Sequence, residues 1–227
     1  MKLPLRSLAS SRACRALVLA GALAAGMATG LRSESSAAAL NSVAIDVVDL
    51  SGRPLDKAVV WAVPLSGQSL PAPAGMSAEI RQRDARFIPE VTPVRVGTAV
   101  SFPNLDDVRH NVYSFSPAKT FSISLYLGTP AEPVLFDKPG EVVIGCNIHD
   151  RMIAYVLALD TPYFAISGRD GAVQLSGLVP GDYELHAWHP DQRAAPAPQR
   201  VTVRAQDRLS HRFVADLTPR WQMPSGE

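Results

Sequence analysis

The sequence holds little cysteine, with Cys14 and Cys146 the two in 227 residues. So few thiols exclude a disulfide framework and the Cys-rich knuckles of structural zinc sites. Helical patterning is missing too. No useful length of chain repeats its apolar residues at i, i+3, i+4 and i+7, which excludes a helix bundle. Aromatics are sparse at 7%. Beyond the N-terminus no apolar run approaches the roughly 20 residues that cross a bilayer as a helix. Charge of neither sign is in excess, with 22 Lys/Arg against 21 Asp/Glu, so the basic footprint of a nucleic-acid binder is absent. No glycine-rich phosphate loop, Ser/His/Asp set or H-E-x-x-H occurs, and the chain is read as a non-enzyme.

Turn formers, by contrast, are abundant. The 19 prolines and 15 glycines are spread along nearly the whole length, which suits many short strands joined by turns. The expected fold class is all-β.

The N-terminus reads as an export signal. Lys2, Arg6, Arg12 and Arg15 precede an Ala-rich apolar run over 16–31, and Ala37-Ala38-Ala39 offers an A-x-A cleavage site. An uncleaved anchor is the alternative, but the run is short and poor in leucine. Export would place the protein in the periplasm, with no stable membrane anchor. Without residues 1–39 the chain keeps 17 basic and 20 acidic residues, a formal charge of −3. It also keeps one cysteine. A single thiol in an oxidising compartment has no internal partner, so Cys146 needs another use.

Four further segments follow from the texture. Residues 40–75 hold two strand-like runs, 42–50 (SVAIDVVDL) and 57–65 (KAVVWAVPL), then a Ser/Pro/Gly-rich linker over 67–74. Residues 76–159 carry short strands at 94–96, 99–102, 109–115, 121–127, 141–146 and 152–159. Residues 160–217 return to the first texture, with strands at 163–166, 172–175, 182–188, 200–204 and 209–214. The Ala-Pro repeats of 190–198 read as an exposed loop, and 218–227 as a loose tail.

The chemistry concentrates in Gly145-Cys146-Asn147-Ile148-His149-Asp150-Arg151-Met152. This C-x2-H-x2-M places a thiolate, an imidazole and a thioether in one loop between two strands. A fourth ligand must come from elsewhere, and His110 opens another strand. Two imidazoles and a thiolate with a weak axial thioether describe a mononuclear blue-copper electron-transfer site. Zinc has little use for a thioether and generally brings more cysteine to a structural site. A dinuclear, thiolate-bridged centre is excluded by the single remaining Cys. Taken one at a time, a buried Cys, a Met beside a strand and a lone His are ordinary core residues. The short spacing and the unpaired thiol set them apart.

On these residues, 76–159 resembles a cupredoxin of the plastocyanin and azurin class. Phe87-Ile88-Pro89, Val94 to Phe102, Asn104 and His110-Asn111-Val112 follow that family's opening half, and the C-x2-H-x2-M loop has the spacing found in amicyanin. The exported chain is also similar to plastocyanin-like proteins labelled methylamine utilization proteins. The resemblance implies a Greek-key copper domain with His110, Cys146 and His149 as equatorial ligands and Met152 as the axial one. It further implies that the Asn111 amide donates to the Cys146 sulfur, that electrons leave at His149, and that the partners are redox proteins. Asp150 and Arg151 between His149 and Met152, and about a hundred residues outside the copper domain, depart from amicyanin.

The flanks resemble a different fold. The run Val47 to Val60 and the pair Asp170-Gly171 and Val179-Pro180-Gly181-Asp182 look like strands of a carboxypeptidase-regulatory-like, transthyretin-type sandwich. The copper domain would then be inserted in that sandwich, or else the two would follow one another. Two other functions stay open: copper binding without a redox role, as in a chaperone or store, and an adhesion or carbohydrate-binding sandwich whose insert carries no metal. His186 and His189 (HAWHP) are read as structural, since residues three apart on a strand face opposite ways. Asp106 and Asp107 are read as a solvated turn, and Trp61, Tyr113 and Tyr126 as core.

Overall fold

Alternating burial along short, β-branched segments organises the whole chain. The computed structural model describes residues 41–65, 67, 70, 75–130 and 132–217. The expected signal at 1–39, the tail at 218–227 and most of the linker at 67–74 lie outside them. All of the regular structure among the described residues is strand. In chain order the first are β1 (Ser42–Asp49), β2 (Val59–Pro64), β3 (Ser77–Glu79), β4 (Arg81–Arg83), β5 (Arg86–Ile88) and β6 (Val91–Arg95). Then come β7 (Thr98–Ser101), β8 (His110–Ser116), β9 (Lys119–Tyr126), β10 (Val134–Phe136), β11 (Gly140–Gly145) and β12 (Ile153–Leu159). The last are β13 (Phe164–Ile166), β14 (Ala172–Ser176), β15 (Gly181–Trp188), β16 (Gln199–Val203) and β17 (Arg208–Ala215).

Strands from both ends of the chain share two sheets, β14-β1-β17 and β13-β2-β15-β16. β1 runs antiparallel to β14 and parallel to β17, from Ser42↔Arg208 to Asp49↔Ala215. The period of two sends Val43, Ile45 and Val47 of β1 inward against Val60, Ala62, Tyr183, Leu185 and Phe213. Strands β3 to β12 fall between β2 and β13 in the chain. They build the sheets β10-β7-β3 and β6-β12-β11-β8-β9, with the small hairpin β4-β5 beside them. Their shared core includes Ile80, Val100, Phe102, Val112, Phe136, Ile144 and Val156.

β12 shows how the two lobes meet. Its Ala154, Val156 and Ala158 fill the core of its own lobe. Its Tyr155, Leu157 and Leu159, on the other face, join Val59, Trp61, Val91, Phe164 and Trp188 in a third apolar cluster. A strand covered on both faces reads as a continuous apolar run, as Ile153-Ala154-Tyr155-Val156-Leu157-Ala158-Leu159 does. The Trp188 indole N–H donates to Glu141 Oε2 at 3.0 Å, and Lys57 Nζ lies 2.6 Å from Glu90 Oε2, across the same junction.

One detail differs from expectation. Pro190 and Gln192 are buried, because the Gln192 side chain accepts the His189 N–H at 2.9 Å; the exposed loop starts only after them. The hairpin β4-β5 turns through Asp84 and Ala85, both in the left-handed region at φ 55° and 51°. A two-residue turn of this hand suits the twist of a hairpin but ordinarily takes Asn-Gly. Ala there costs on the order of 1–2 kcal/mol.

Candidate metal centre

The sheet order brings the expected ligands to one end of one sheet. β8 and β11 are neighbours, with Gly145 opposite Tyr113. His110 opens β8 and Cys146 follows β11, so both sit at the same edge. The loop from Cys146 to Met152 is closed by its own backbone. The Cys146 N–H donates to the Met152 carbonyl at 3.2 Å, and the Met152 N–H donates to the His149 carbonyl at 2.9 Å. A loop this tight turns the side chains of 146 and 149 toward one point.

His110 Nδ1 and His149 Nδ1 each lie 3.9 Å from the Cys146 sulfur. The donor atoms of the three residues all fall within 4.8 Å of one another. His110 and Met152 are fully buried and Cys146 nearly so, while His149 is half-buried beside the exposed Ile148. Ordinary metal–thiolate and metal–imidazole bonds of about 2.3 and 2.0 Å reach together roughly 4.3 Å. The 3.9 Å separations therefore allow one ion to bond the sulfur and either nitrogen, and the three donors fit a metal.

The surroundings are polar where the ligands need holding. The Asn111 side-chain oxygen accepts the Asn147 N–H at 2.9 Å. This bond engages the Asn111 oxygen and fixes the residue after Cys146, whereas the expected contact is a donation from the Asn111 amide N–H to the sulfur. Asp106 corrects the sequence reading. Its Oδ1 accepts the Asp84 N–H at 2.7 Å, and its Oδ2 accepts the Ala85 N–H at 3.0 Å and lies 2.8 Å from His110 Nε2. It is not a solvated turn. Burial alone would raise its pKa, but the bonds from Ala85, His110 and Asp84 outweigh that and hold the carboxyl below its ordinary value. A capping-type signal hid it: Asp106 donates its own N–H to the Asn104 side chain at 3.0 Å, as a turn residue would.

Tyr126, opposite His110 on β9, is pushed up to about 12 by burial and by the nearby Cys146, against a bond from Gln82. Gln82 and the Phe102 carbonyl hold its hydroxyl. His186 and His189 stay apart from the centre. His186 stacks on Trp61 and lies 3.1 Å from Glu184, whereas His189 is buried with both ring nitrogens engaged.

No protein-family model and no curated protein matches this chain. Solved structures similar to part of it include a purple cupredoxin from Nitrosopumilus maritimus, at 21% identity and TM-score 0.33, covering 36% of this chain and 99% of that one. A mutant plastocyanin of fern is 18% identical at TM-score 0.32, with the same coverage of 36% and 99%. A reduced Cu(I) form of an amicyanin mutant is 17% identical at TM-score 0.33, covering 43% of this chain and 98% of that one. Among the described residues the chain is all-β, and the solved structures similar to part of it include these cupredoxins.

Proposed function

We propose that this chain is an exported, periplasmic protein that holds one copper ion of the blue type and carries single electrons between redox proteins. One observation supports the reading above the rest: a buried thiol sulfur outside any disulfide has an imidazole nitrogen of each of two histidines 3.9 Å away. Copper bound there would supply a one-electron couple between Cu(II) and Cu(I).

The chain's residues divide the remaining work. His110, Cys146 and His149 hold the ion, and Met152 offers its thioether from the buried side. Sheet and loop bring His110, Cys146 and His149 together beforehand, which keeps rearrangement small when the charge changes. The core around Met152 and Val112 excludes water. His149, alone half-buried among the four, is the edge through which a partner exchanges electrons. The second sandwich, of the transthyretin type, steadies this lobe or docks it to a partner.

The test is the visible spectrum of the copper-loaded chain beside its Cys146→Ala variant. Intense thiolate-to-copper absorption with a reversible one-electron couple is expected, with the colour gone in the variant. A colourless chain that binds Cu(I) and yields it to chelators would make the protein a store or chaperone instead.

A further inference from the structure

His110 has two ring nitrogens, and the structure uses both. Nδ1 faces the Cys146 sulfur, while Nε2 of the same fully buried ring lies 2.8 Å from Oδ2 of Asp106, whose side chain is 14% exposed. Asp106 is itself gripped. The backbone N–H groups of Asp84 and Ala85, in the left-handed turn of the hairpin β4-β5, donate to its two oxygens. Asn104 holds the loop from behind, accepting the Asp106 N–H and donating to the carbonyls of Val108 and Tyr126. The unusual backbone at 84–85 thus points two donors at one carboxylate, and that carboxylate meets one imidazole.

We propose that Asp106 is a positioning residue for the metal centre, and that the hairpin β4-β5 exists to aim it. The inference rests on the copper reading above. A carboxylate accepting from Nε2 fixes the tautomer that leaves Nδ1 bare toward the sulfur. It also makes the imidazole a stronger donor. A stronger donor favours the more highly charged ion, so Asp106 shifts the couple toward Cu(II) and lowers the potential. The two turn N–H groups keep the carboxylate from rotating away.

The test compares the full chain with Asp106→Asn, which keeps an acceptor of the same shape and removes the charge. Partners of metal ligands are generally worth 10–100-fold in metal affinity. The expected result is about a tenfold loss of Cu(II) preference over Cu(I), which is a rise of about 59 mV for one electron, with the blue colour retained. An Asp106→Asn protein with its colour and an unchanged potential overturns the proposal and leaves Asp106 as an anchor of the hairpin only. Should that variant fail to fold, nitrogen-15 spectra of the unaltered, metal-free chain decide: His110 protonated at Nε2 supports the proposal, and protonation at Nδ1 overturns it. A parent chain that takes no copper would defeat the copper reading itself, an outcome distinct from either.

Discussion

Trp188, the last residue of β15, gives its indole N–H to Glu141 at the start of β11, the strand that leads into Cys146. The same ring packs at 5.7 Å on Tyr155 of β12. One side chain therefore ties the two strands flanking the metal loop to the other lobe. Replacing it with Phe keeps most of the apolar area and loses a bond to a carboxylate, worth about 1.5–3 kcal/mol. Trp188→Ala removes the packing as well and is expected to cost about 3–5 kcal/mol in chemical denaturation.

Copper should stabilise the fold as well as colour it. A ligand that binds only the native state at a hundredfold excess over its Kd adds about 2.7 kcal/mol. A matching rise in Tm is expected on copper loading, and Cys146→Ala should abolish it. An equal rise in the variant would place the copper elsewhere.

Two glycines separate backbone strain from collision. Gly177 has φ +76° with open space where a Cβ would go, so Gly177→Ala is expected to cost only the left-handed penalty of about 1–2 kcal/mol. Gly171 has a similar φ of +70°, but its Cβ would sit 2.5 Å from the Val47 carbonyl oxygen on β1. Gly171→Ala must move a central strand and is expected to cost at least ~2 kcal/mol more. Thermal or denaturant melts of the two variants check the difference.

The pH dependence has a specific source at His189. Burial chiefly lowers its pKa below the ordinary His value of about 6.5, although Asp191 and the Asp56 carbonyl pull the other way. The unfolded chain therefore takes up a proton near pH 6.5 while the folded one does not. Stability is full above that pH and is lost as pH falls through it. Melting between pH 7 and 5 should show a shallower decline in His189→Gln than in the parent, even though the variant starts lower.

Much of this was legible in the sequence, because strands and close ligands leave local marks. The runs around Val43–Val47, Val112, Ile144 and Leu157 alternate or cluster as buried strands do, and the structure places a strand at each. Cys146 and His149 share one short loop, so their spacing carried their meeting, and Met152 closes that loop through its backbone. His110 was placed by its position at the head of a strand. What escaped was short or long-range. β3, β4 and β10 have three residues each, too few for a period to register. Asp106 reads as a turn residue because its partners at 84 and 85 lie more than twenty positions away.

The parallel pairing of Ser42 with Arg208 has a consequence for the order of events during biogenesis. β1 stands early in the chain, and its sheet partners β14 and β17 come only after the whole intervening lobe. Closing so long an excursion is entropically costly unless the intervening chain has already condensed. The lobe holding Cys146 has all its sheet partners within its own stretch, and its collapse shortens the gap that the outer strands must bridge. Pulse-labelled hydrogen exchange is expected to protect β11 and β12 before β1.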